Sequence, residues 1–275
     1  MNLYYIAYTD KIYVYSPQFP SQAIPSIPEL VLNLPASRPG LAGYLDPSKP
    51  HAVNHLIVGD LGTEEIVVVS CDDGDVIAYT TRSILNSISR KDLGEPDGTS
   101  PLTDLRPFFI QNVMQTAWGL SIHEAGRMIA VSANTHIVTV FAFALRQGET
   151  GSSGEISDNE SESNGESDLI FSSDDADWGP TVRSTTPPDR TVRNIVITLS
   201  GHHTNIPSVS FCNSDDDPNG RYLVSTDIDG FTILWDIWAQ SPIMRHSRDG
   251  GLPSAVFGLT KKWAKYENSC TLSLH

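Results

Sequence analysis

A run of oxygen-bearing residues from Asp215 to Gly220 has the spacing with which a calcium-binding loop begins. Such a loop needs oxygen ligands at alternate positions, a glycine at its sharp turn and a bidentate glutamate at its twelfth position. Here the twelfth position is Thr226, Pro218 interrupts the run, and apolar segments typical of strands flank it. We therefore interpret the run as a turn between two strands, and we predict that it binds no calcium.

His202 and His203 could be ligands of a metal ion, but no third ligand lies at the spacing of a zinc site. Cys71, Cys212 and Cys270 are far apart in the sequence, so they form neither a CxxC metal site nor a disulfide framework. Few unpatterned cysteines are typical of a protein from a reducing compartment. The sequence predicts no metal site and no cofactor.

Asp72, Asp73 and Asp75 could be the paired carboxylates of acid–base catalysis. They surround Gly74 between two apolar segments, where aspartates more often form a hairpin turn. The sequence contains no nucleophile elbow, P-loop or dinucleotide-binding glycine motif, so we predict no catalytic residue and no enzyme. An enzyme whose site is not recognisable from such motifs would need ligands that converge from several sheets.

Acidic residues dominate the charge of the 275-residue chain, which has 33 acids, 18 bases and a formal charge of −15. Ten of the acids and none of the bases lie between Gly148 and Gly179, so the rest of the chain carries a charge of only −5. Both values oppose contact with a phosphate backbone, and the sequence contains no basic cluster. We therefore expect protein partners, with no direct contact to nucleic acid and none to a membrane.

Two segments have the composition of irregular chain. Residues 148–190 form an acidic, Ser-rich insert that cannot bury enough apolar surface to offset the entropy of ordering, so we expect it to be disordered. Residues 16–50 hold eight of the 18 prolines, and we predict a long connection without strand or helix. Within the insert, an acid follows three residues after each of four candidate phosphorylation sites: Ser152, Ser157, Ser163 and Ser172.

The remaining chain is a series of short segments rich in β-branched and aromatic residues, separated by turns of Gly, Asp and Asn, which predicts an all-β protein. A helix is expected only near Ser83–Lys91. Additional strands are plausible at Phe108–Val113 and Ile195–Leu199. One hairpin pattern, a polar turn followed by an alternating strand that ends in an aromatic residue, repeats four times: Tyr8–Tyr15, Cys71–Tyr79, Ala133–Phe141 and Asp227–Trp235.

The fourth repeat, with Gly201-His202 at its start and Trp235-Asp236 at its end, resembles a blade of a WD-repeat β-propeller. The resemblance implies a hydrogen-bonded set in which a His, a Ser or Thr, a turn Asp and the Trp hold the strands of a blade together. Here His202, Asp229 and Trp235 match this set, and Thr226 or Asp227 stands near the Ser/Thr position. In the second repeat, Asp73 and Tyr79 take the places of the turn Asp and the Trp.

Four stretches together are similar to the fungal family of constitutive ribonucleotide-reductase-transcription regulators: Leu3–Tyr15, His51–Tyr79, Val113–Leu145 and Asn194–Ile237. The resemblance implies a non-catalytic propeller that lowers expression of ribonucleotide reductase genes and serves as a substrate adaptor of a cullin-type ubiquitin ligase. It also implies a nuclear or cytoplasmic, intracellular protein.

The repeats predict an open arc of about four WD-like blades within residues 1–240, a partial propeller that self-associates. The alternative function is that of an enzyme built on the propeller, with its site in the central channel. Its units lie near residues 1–15, 51–82, 113–145 and 194–240, and an irregular tail follows at residues 241–275. Several aromatic residues are candidates for exposed contacts with partners: Phe108, Phe109, Trp118, Trp178, Trp238 and Trp263. For Trp118, packing in the core is the more common role of such a residue.

We predict that deleting Glu149–Asp177 leaves the melting temperature within a few degrees of that of the intact chain. The reason is that an acidic, Ser-rich segment with few apolar residues to bury adds little to the folded core. Thermal melting followed by circular dichroism would measure this. Loss of the cooperative transition after the deletion would show instead that the acidic segment belongs to the fold.

Overall fold

The computed structural model describes residues 2–92, 102–103, 105–145, 178–191 and 193–247. Its elements confirm the predicted all-β class, with seventeen strands and one helix in the described residues. The four candidate phosphorylation sites, Trp263 and Cys270 lie outside the described residues. Among the described residues, no helix has both the length and the apolar character needed to cross a membrane.

The strands form four open sheets, here numbered in chain order. The first sheet has four strands in the order β1 (Tyr4–Tyr8), β2 (Lys11–Tyr15), β3 (Leu30–Asn33) and β7 (Leu102–Thr103). The second sheet has four strands in the order β4 (Val53–Leu61), β5 (Glu64–Cys71), β6 (Asp75–Thr80) and β8 (Phe109–Asn112). Helix α1 (Thr81–Asp92) follows β6 directly and packs on β5 and β6.

The third sheet has five strands in the order β9 (Ala117–His123), β10 (Met128–Ala133), β11 (Ile137–Ala142), β13 (Asn194–Ser200) and β12 (Trp178–Pro180). The fourth sheet has four strands in the order β14 (Ser208–Phe211), β15 (Tyr222–Thr226), β16 (Thr232–Asp236) and β17 (Ser241–His246). In the last three sheets the strand that comes first in sequence lies at one edge, and these edge strands pack in succession, β4 on β9 and β9 on β14.

The hydrophobic core consists of three clusters, one between each pair of successive sheets. The sequence of strand β5 is continuously apolar because each of its two faces packs in a different cluster. Val67 and Val69 belong to the cluster shared with the first sheet, while Ile66 and Val68 belong to the cluster shared with the third. A strand covered on both faces needs apolar residues at every position, so it loses the alternation of a strand with one face in water.

The hairpin turns explain the repeated pattern of the sequence. Gly74 and Gly230, in the turns after β5 and β15, have φ angles of +89° and +79°, and His136 has +61° in the turn after β10. A Cβ atom on Gly74 would lie 2.7 Å from the carbonyl oxygen of Gln115, so this turn excludes a side chain as well as favouring a left-handed residue.

Several strand and helix predictions are confirmed, and others are wrong. The helix near Ser83–Lys91 and the additional strands near Phe108–Val113 and Ile195–Leu199 are present as α1, β8 and β13. The segment 16–50 does contain a strand, because Leu30 and Leu32 are buried in β3 against β2. The tail predicted from residue 241 begins with β17, whose Pro242, Arg245 and nearby polar residues hide the alternation that sequence patterns rely on.

The end of the predicted disordered insert also differs from expectation. Trp178–Pro180 forms β12, which pairs in parallel with β13. Arg190 is buried, donates hydrogen bonds to the carbonyl oxygens of Gly126 and Phe143, and lies over the ring of Trp238. Residues 178–180 are therefore a strand of the third sheet, and Arg190 joins the end of the predicted insert to the third sheet and to Trp238.

Strand β1 presents an open edge, since β2 is its single partner among the described strands. Its exposed side chains Tyr4, Ile6 and Tyr8 are uncharged and alternate along the strand. An unpaired, uncharged edge favours association with another strand. We predict concentration-dependent self-association of the chain, reduced by Ile6→Lys, because a charge at the centre of the edge opposes strand pairing.

Analytical ultracentrifugation over a range of concentrations would measure this association. Ile27→Lys is the matched control, since Ile27 is exposed but lies outside any strand. The prediction fails if the wild-type chain is a monomer throughout, or if the control dissociates the assembly as strongly as Ile6→Lys.

Candidate functional site

A chain of buried hydrogen bonds links the loop before β14 to β15 and β16. The indole nitrogen of Trp235 donates to the hydroxyl oxygen of Ser225 over 2.8 Å, and that hydroxyl lies 2.7 Å from Nε2 of His202. Nδ1 of His202 lies 2.9 Å from Oδ2 of Asp227. The ends of a loop and two strands are thus connected by four side chains, all of them buried.

The hydrogen-bond partners assign the protonation state of His202. The Asp227 carboxylate can only accept, so Nδ1 carries the proton and donates to it. In the neutral ring Nε2 then accepts the Ser225 hydroxyl, whose oxygen accepts the hydrogen bond from the Trp235 N–H. Burial lowers the pKa of His202, although the hydrogen bond and charge of Asp227 oppose this change. Burial alone would raise the pKa of Asp227, but hydrogen bonds from His202 and the backbone N–H of Phe231 outweigh it and lower the pKa.

The structure brings together His202 and Trp235 as the sequence suggested, but not Asp229. Asp229 is exposed at the tip of the turn, and Asp227 meets the histidine instead. Oδ1 of Asp227 also accepts the backbone N–H groups of Asp229 and Phe231, so one carboxylate both closes the turn and fixes the histidine. The hydroxyl is that of Ser225, while Thr226 bonds across the hairpin to Thr232. The sequence signal for this set is a serine two residues before the aspartate.

The second sheet has a different arrangement at the matching turn. Tyr79 pairs with Val67 in the sheet register, as Trp235 pairs with Leu223. Two residues further along, the second sheet has Val69 where the fourth has Ser225, so no hydroxyl is available to Tyr79. Its own hydroxyl is buried and has no hydrogen-bond partner among the described residues. Burial, followed by the influence of Cys71, raises the pKa of Tyr79.

Three aspartates in the turn after β5 are buried rather than solvated, and two of them hold the Pro-rich segment in place. Asp72 accepts the backbone N–H of Leu45 at 2.7 Å and the hydroxyl of Thr116 at 3.1 Å. Asp75 accepts the backbone N–H of Ser37 at 2.7 Å, the Ser37 hydroxyl, and the side-chain amide of Asn112. The interpretation of these residues as simple turn formers is therefore incomplete.

The third carboxylate, Asp73, lies 2.7 Å from Nδ1 of His51. The sequence interpretation did not select His51, because its spacing differs from that of the histidine in the WD-like repeat. His51 stands two residues before β4, whereas His202 stands six residues before β14. Burial lowers the pKa of His51, but the hydrogen bond and charge of Asp73, with Asp75 and Asp10, raise it overall. The ring faces a negatively charged turn.

The calcium-like run is a turn, and its buried carboxylate is already engaged. Asp217 accepts the backbone N–H groups of Arg221 and Tyr222 at 2.8 and 2.9 Å. Its carbonyl oxygen lies 3.0 Å from Nε2 of the buried His123. Asp217 therefore holds the loop between β14 and β15 against the third sheet.

The aromatic candidates are mostly packed in the interior. Phe109 and Trp238 are buried, so their interpretation as exposed contacts is wrong. Trp178 packs edge-on against Phe109, Phe141 and Phe143, with ring centroids 5.1–5.6 Å away. Phe108 is partly buried in the same region, and Trp118 donates its indole N–H to Asn134. A single sequence cannot distinguish such packed rings from exposed ones.

Exposed apolar residues lie instead around the buried aspartates of the β5–β6 turn. We call this group the turn-loop surface; it consists of Leu41, Tyr44, Leu45 and Met114. Tyr44, Leu45 and Met114 are 65%, 57% and 66% exposed. Arg38 lies beside them, with Nη1 3.9 Å from the sulfur of Met114. The hydrogen bonds of Asp72 and Asp75 fix the backbone of the segment that carries Leu41, Tyr44 and Leu45.

The geometry can be set beside known proteins. A family model described as CRT10 matches residues 44–264 of the chain. A search of curated proteins gives no significant match. Among solved structures, the chain is similar to one in "Crystal Structure of Mitotic Checkpoint Complex", with a TM-score of 0.44 and 10% identity over 90% of this chain. The match spans 47%, about half, of that solved chain.

We predict that Ser225→Ala lowers the free energy of unfolding by about 2–4 kcal/mol, because it leaves the buried Trp235 N–H and His202 Nε2 without partners. Urea denaturation would measure the change. Ser208→Ala is the matched control, since Ser208 is exposed on neighbouring β14, and it should change stability by less than about 0.5 kcal/mol. Equal effects of the two substitutions would contradict the proposed importance of the hydrogen-bonded chain.

Proposed function

Because the chain belongs to the CRT10 family, we propose that it is a non-catalytic, WD-type interaction module that lowers transcription of ribonucleotide reductase genes through protein contacts. Membership rests on a match over 44–264, more than three quarters of the sequence. The regulatory role is proposed from the resemblance described above. The proposed mode of action is the binding of proteins by loops on a rigid scaffold. The hydrogen bonds that Asp72 and Asp75 accept from the loop backbone support it.

In this proposal the four sheets are blades of an open propeller arc. The successive packing of β4, β9 and β14 supports it, because the innermost strands of propeller blades meet in this way. The set of His202, Ser225, Asp227 and Trp235 supports it as well, since it matches the His, Ser/Thr, Asp and Trp types of a WD blade. An array of stacked blades holds its connecting loops at fixed positions, where they can bind partners.

The turn-loop surface is the observation that carries the proposed mode of action. An irregular segment with exposed Tyr and Leu side chains would ordinarily be mobile, and ordering it would weaken binding. Here Asp72 and Asp75 bind its backbone at Leu45 and Ser37. Gly43 packs so closely that a Cβ atom would lie 2.6 Å from Cα of Pro50 and 2.7 Å from Asp72. A surface ordered before binding favours association with a partner.

Charge supports a protein partner over nucleic acid. The formal charge is −15 for the chain and −5 without residues 148–179, and a phosphate backbone would be repelled by both. Tyr and Met are enriched in the contacts that proteins make with other proteins. The finer proposal is that this contact recruits a substrate to a cullin-type ubiquitin ligase in the nucleus or cytoplasm; it follows from the family resemblance alone.

We predict that the double substitution Tyr44→Ser, Leu45→Ser abolishes repression in cells that lack the endogenous protein, because it removes two apolar contacts and leaves the Leu45 backbone hydrogen bond. Ribonucleotide reductase transcripts would be measured by quantitative PCR, and proteins that copurify with each tagged variant by mass spectrometry. Wild type should lower the transcripts, and the double variant should leave them at the level of empty vector.

The matched control is Ile27→Ser, Val182→Ser, which removes two exposed apolar side chains away from the turn-loop surface. Thermal melting would establish that both proteins fold. Repression by the double variant at the wild-type level would overturn the assignment of the surface. A salt-sensitive complex of purified wild-type chain with promoter DNA would overturn the choice of a protein partner.

A further inference from the structure

Three side chains able to ligate a metal converge at the β5–β6 turn. One ligand atom from each of His51, Cys71 and Asp73 lies within 4.8 Å of the other two. His51 lies two residues before β4, Cys71 is the last residue of β5, and Asp73 lies in the turn itself. Cys71 is completely buried, Asp73 is 5% exposed, and the side chain of His51 is 11% exposed. We call these three residues the turn triad.

The polar groups of the turn triad are incompletely satisfied. Among the described residues, Cys71 Sγ makes no hydrogen bond and no disulfide, and the buried Nε2 of His51 has no hydrogen-bond partner. Of the proposed ligand atoms, Sγ of Cys71 is therefore without a partner, whereas Nδ1 of His51 and the Asp73 carboxylate bond to each other. The corresponding histidine of the fourth sheet, His202, has partners on both ring nitrogens.

The charge at this turn is also unbalanced. Asp72, Asp73 and Asp75 are all buried, and His51 is the one ionisable group of opposite sign that lies within 4 Å of any of them in the described part of the chain. Buried charges are normally paired or bound to a metal, because their desolvation is costly. A divalent cation would offset this excess.

We propose that the turn triad is a zinc site, with Nδ1 of His51, Sγ of Cys71 and a carboxylate oxygen of Asp73 as ligands. Nδ1 lies 2.7 Å from Oδ2 of Asp73 and 3.8 Å from Oδ2 of Asp75, so Asp75 or a water completes four-coordination. Zinc binds nitrogen, sulfur and oxygen ligands tetrahedrally, whereas calcium and magnesium select oxygen ligands alone. On binding, the thiol releases its proton to solvent, Nδ1 of His51 gives up the proton that it shares with Asp73, and neutral His51 carries a proton on Nε2 alone.

The surroundings of the triad suit such a site. Ser37 and Asn112 hold Asp75, and Thr116 holds Asp72, so carboxylates behind the ligands are fixed by hydrogen bonds. Outer-shell contacts of this kind orient metal ligands. The partly exposed ring of His51 gives the ion a route from solvent. The site would join the start of β4 to the turn that carries the Pro-rich segment, and it does not depend on the proposed regulatory function.

Cobalt(II) absorption spectroscopy on the purified full chain tests the proposal. All proteins would carry Cys270→Ser, so that the cysteine outside the described residues cannot bind the metal. We expect one equivalent of cobalt to give the visible bands of a tetrahedral site and a near-ultraviolet thiolate-to-cobalt band. One equivalent of zinc should displace it, and calcium or magnesium in excess should not. Absence of the thiolate band, or displacement by magnesium, would overturn the proposal.

Matched variants identify the ligands. Cys71→Ser should abolish the thiolate band, and His51→Gln should weaken zinc binding at least about 100-fold, because even loss of an outer-shell partner costs roughly 10–100-fold. Cys212→Ser and His203→Gln are the controls, one buried thiol and one exposed imidazole outside the triad. Circular dichroism would establish folding of each variant. A band that survives Cys71→Ser but disappears with Cys212→Ser would place the metal elsewhere and overturn the assignment.

Discussion

The stacking of each sheet on the next is the constraint on which this structure depends. The second and third sheets bury both faces, so neither has a face that could remain in water without its neighbours. The apolar run of β5 is stable only because its side chains alternate between two different clusters. Buried apolar area supplies the stabilisation, while the turns and polar contacts decide how successive sheets are joined.

Where the strands end, polar side chains connect them to the turns. In the fourth sheet, three neutral side chains, Trp235, Ser225 and His202, are hydrogen-bonded in series, and the series ends at the charged carboxylate of Asp227. The second sheet has Cys71 at the turn position of Asp227, since each accepts the N–H of the glycine three residues later. Its acid is displaced to Asp73 and its histidine to His51, and two more buried carboxylates hold a long loop.

The sequence predicted the parts of the fold that follow from local periodicity. Alternating β-branched residues and Gly or Asp turns identified most strands of the last three sheets, and the repeat led to His202 and Trp235. It failed where tertiary contacts decide the structure. Leu30 and Leu32 form a strand because β2 offers a pairing edge, although prolines surround them. Trp178 is ordered by three phenylalanine rings from distant strands, although an acidic segment precedes it.

Tertiary contacts also explain why sequence analysis did not identify His51. Nothing in the spacing of His51, Cys71 and Asp73 matches a metal motif, because the sheet, and not a local loop, brings them within 4.8 Å. Aspartates that only formed a turn could remain in water, yet here three are buried, and two of them, Asp72 and Asp75, bind a loop whose apolar side chains are exposed. Burial of so much negative charge opposes folding unless each carboxylate is satisfied. Hydrogen bonds from the loop backbone at Ser37 and Leu45 satisfy two of these carboxylates, so the contacts that offset the burial of charge are also the contacts that hold the turn-loop surface in place.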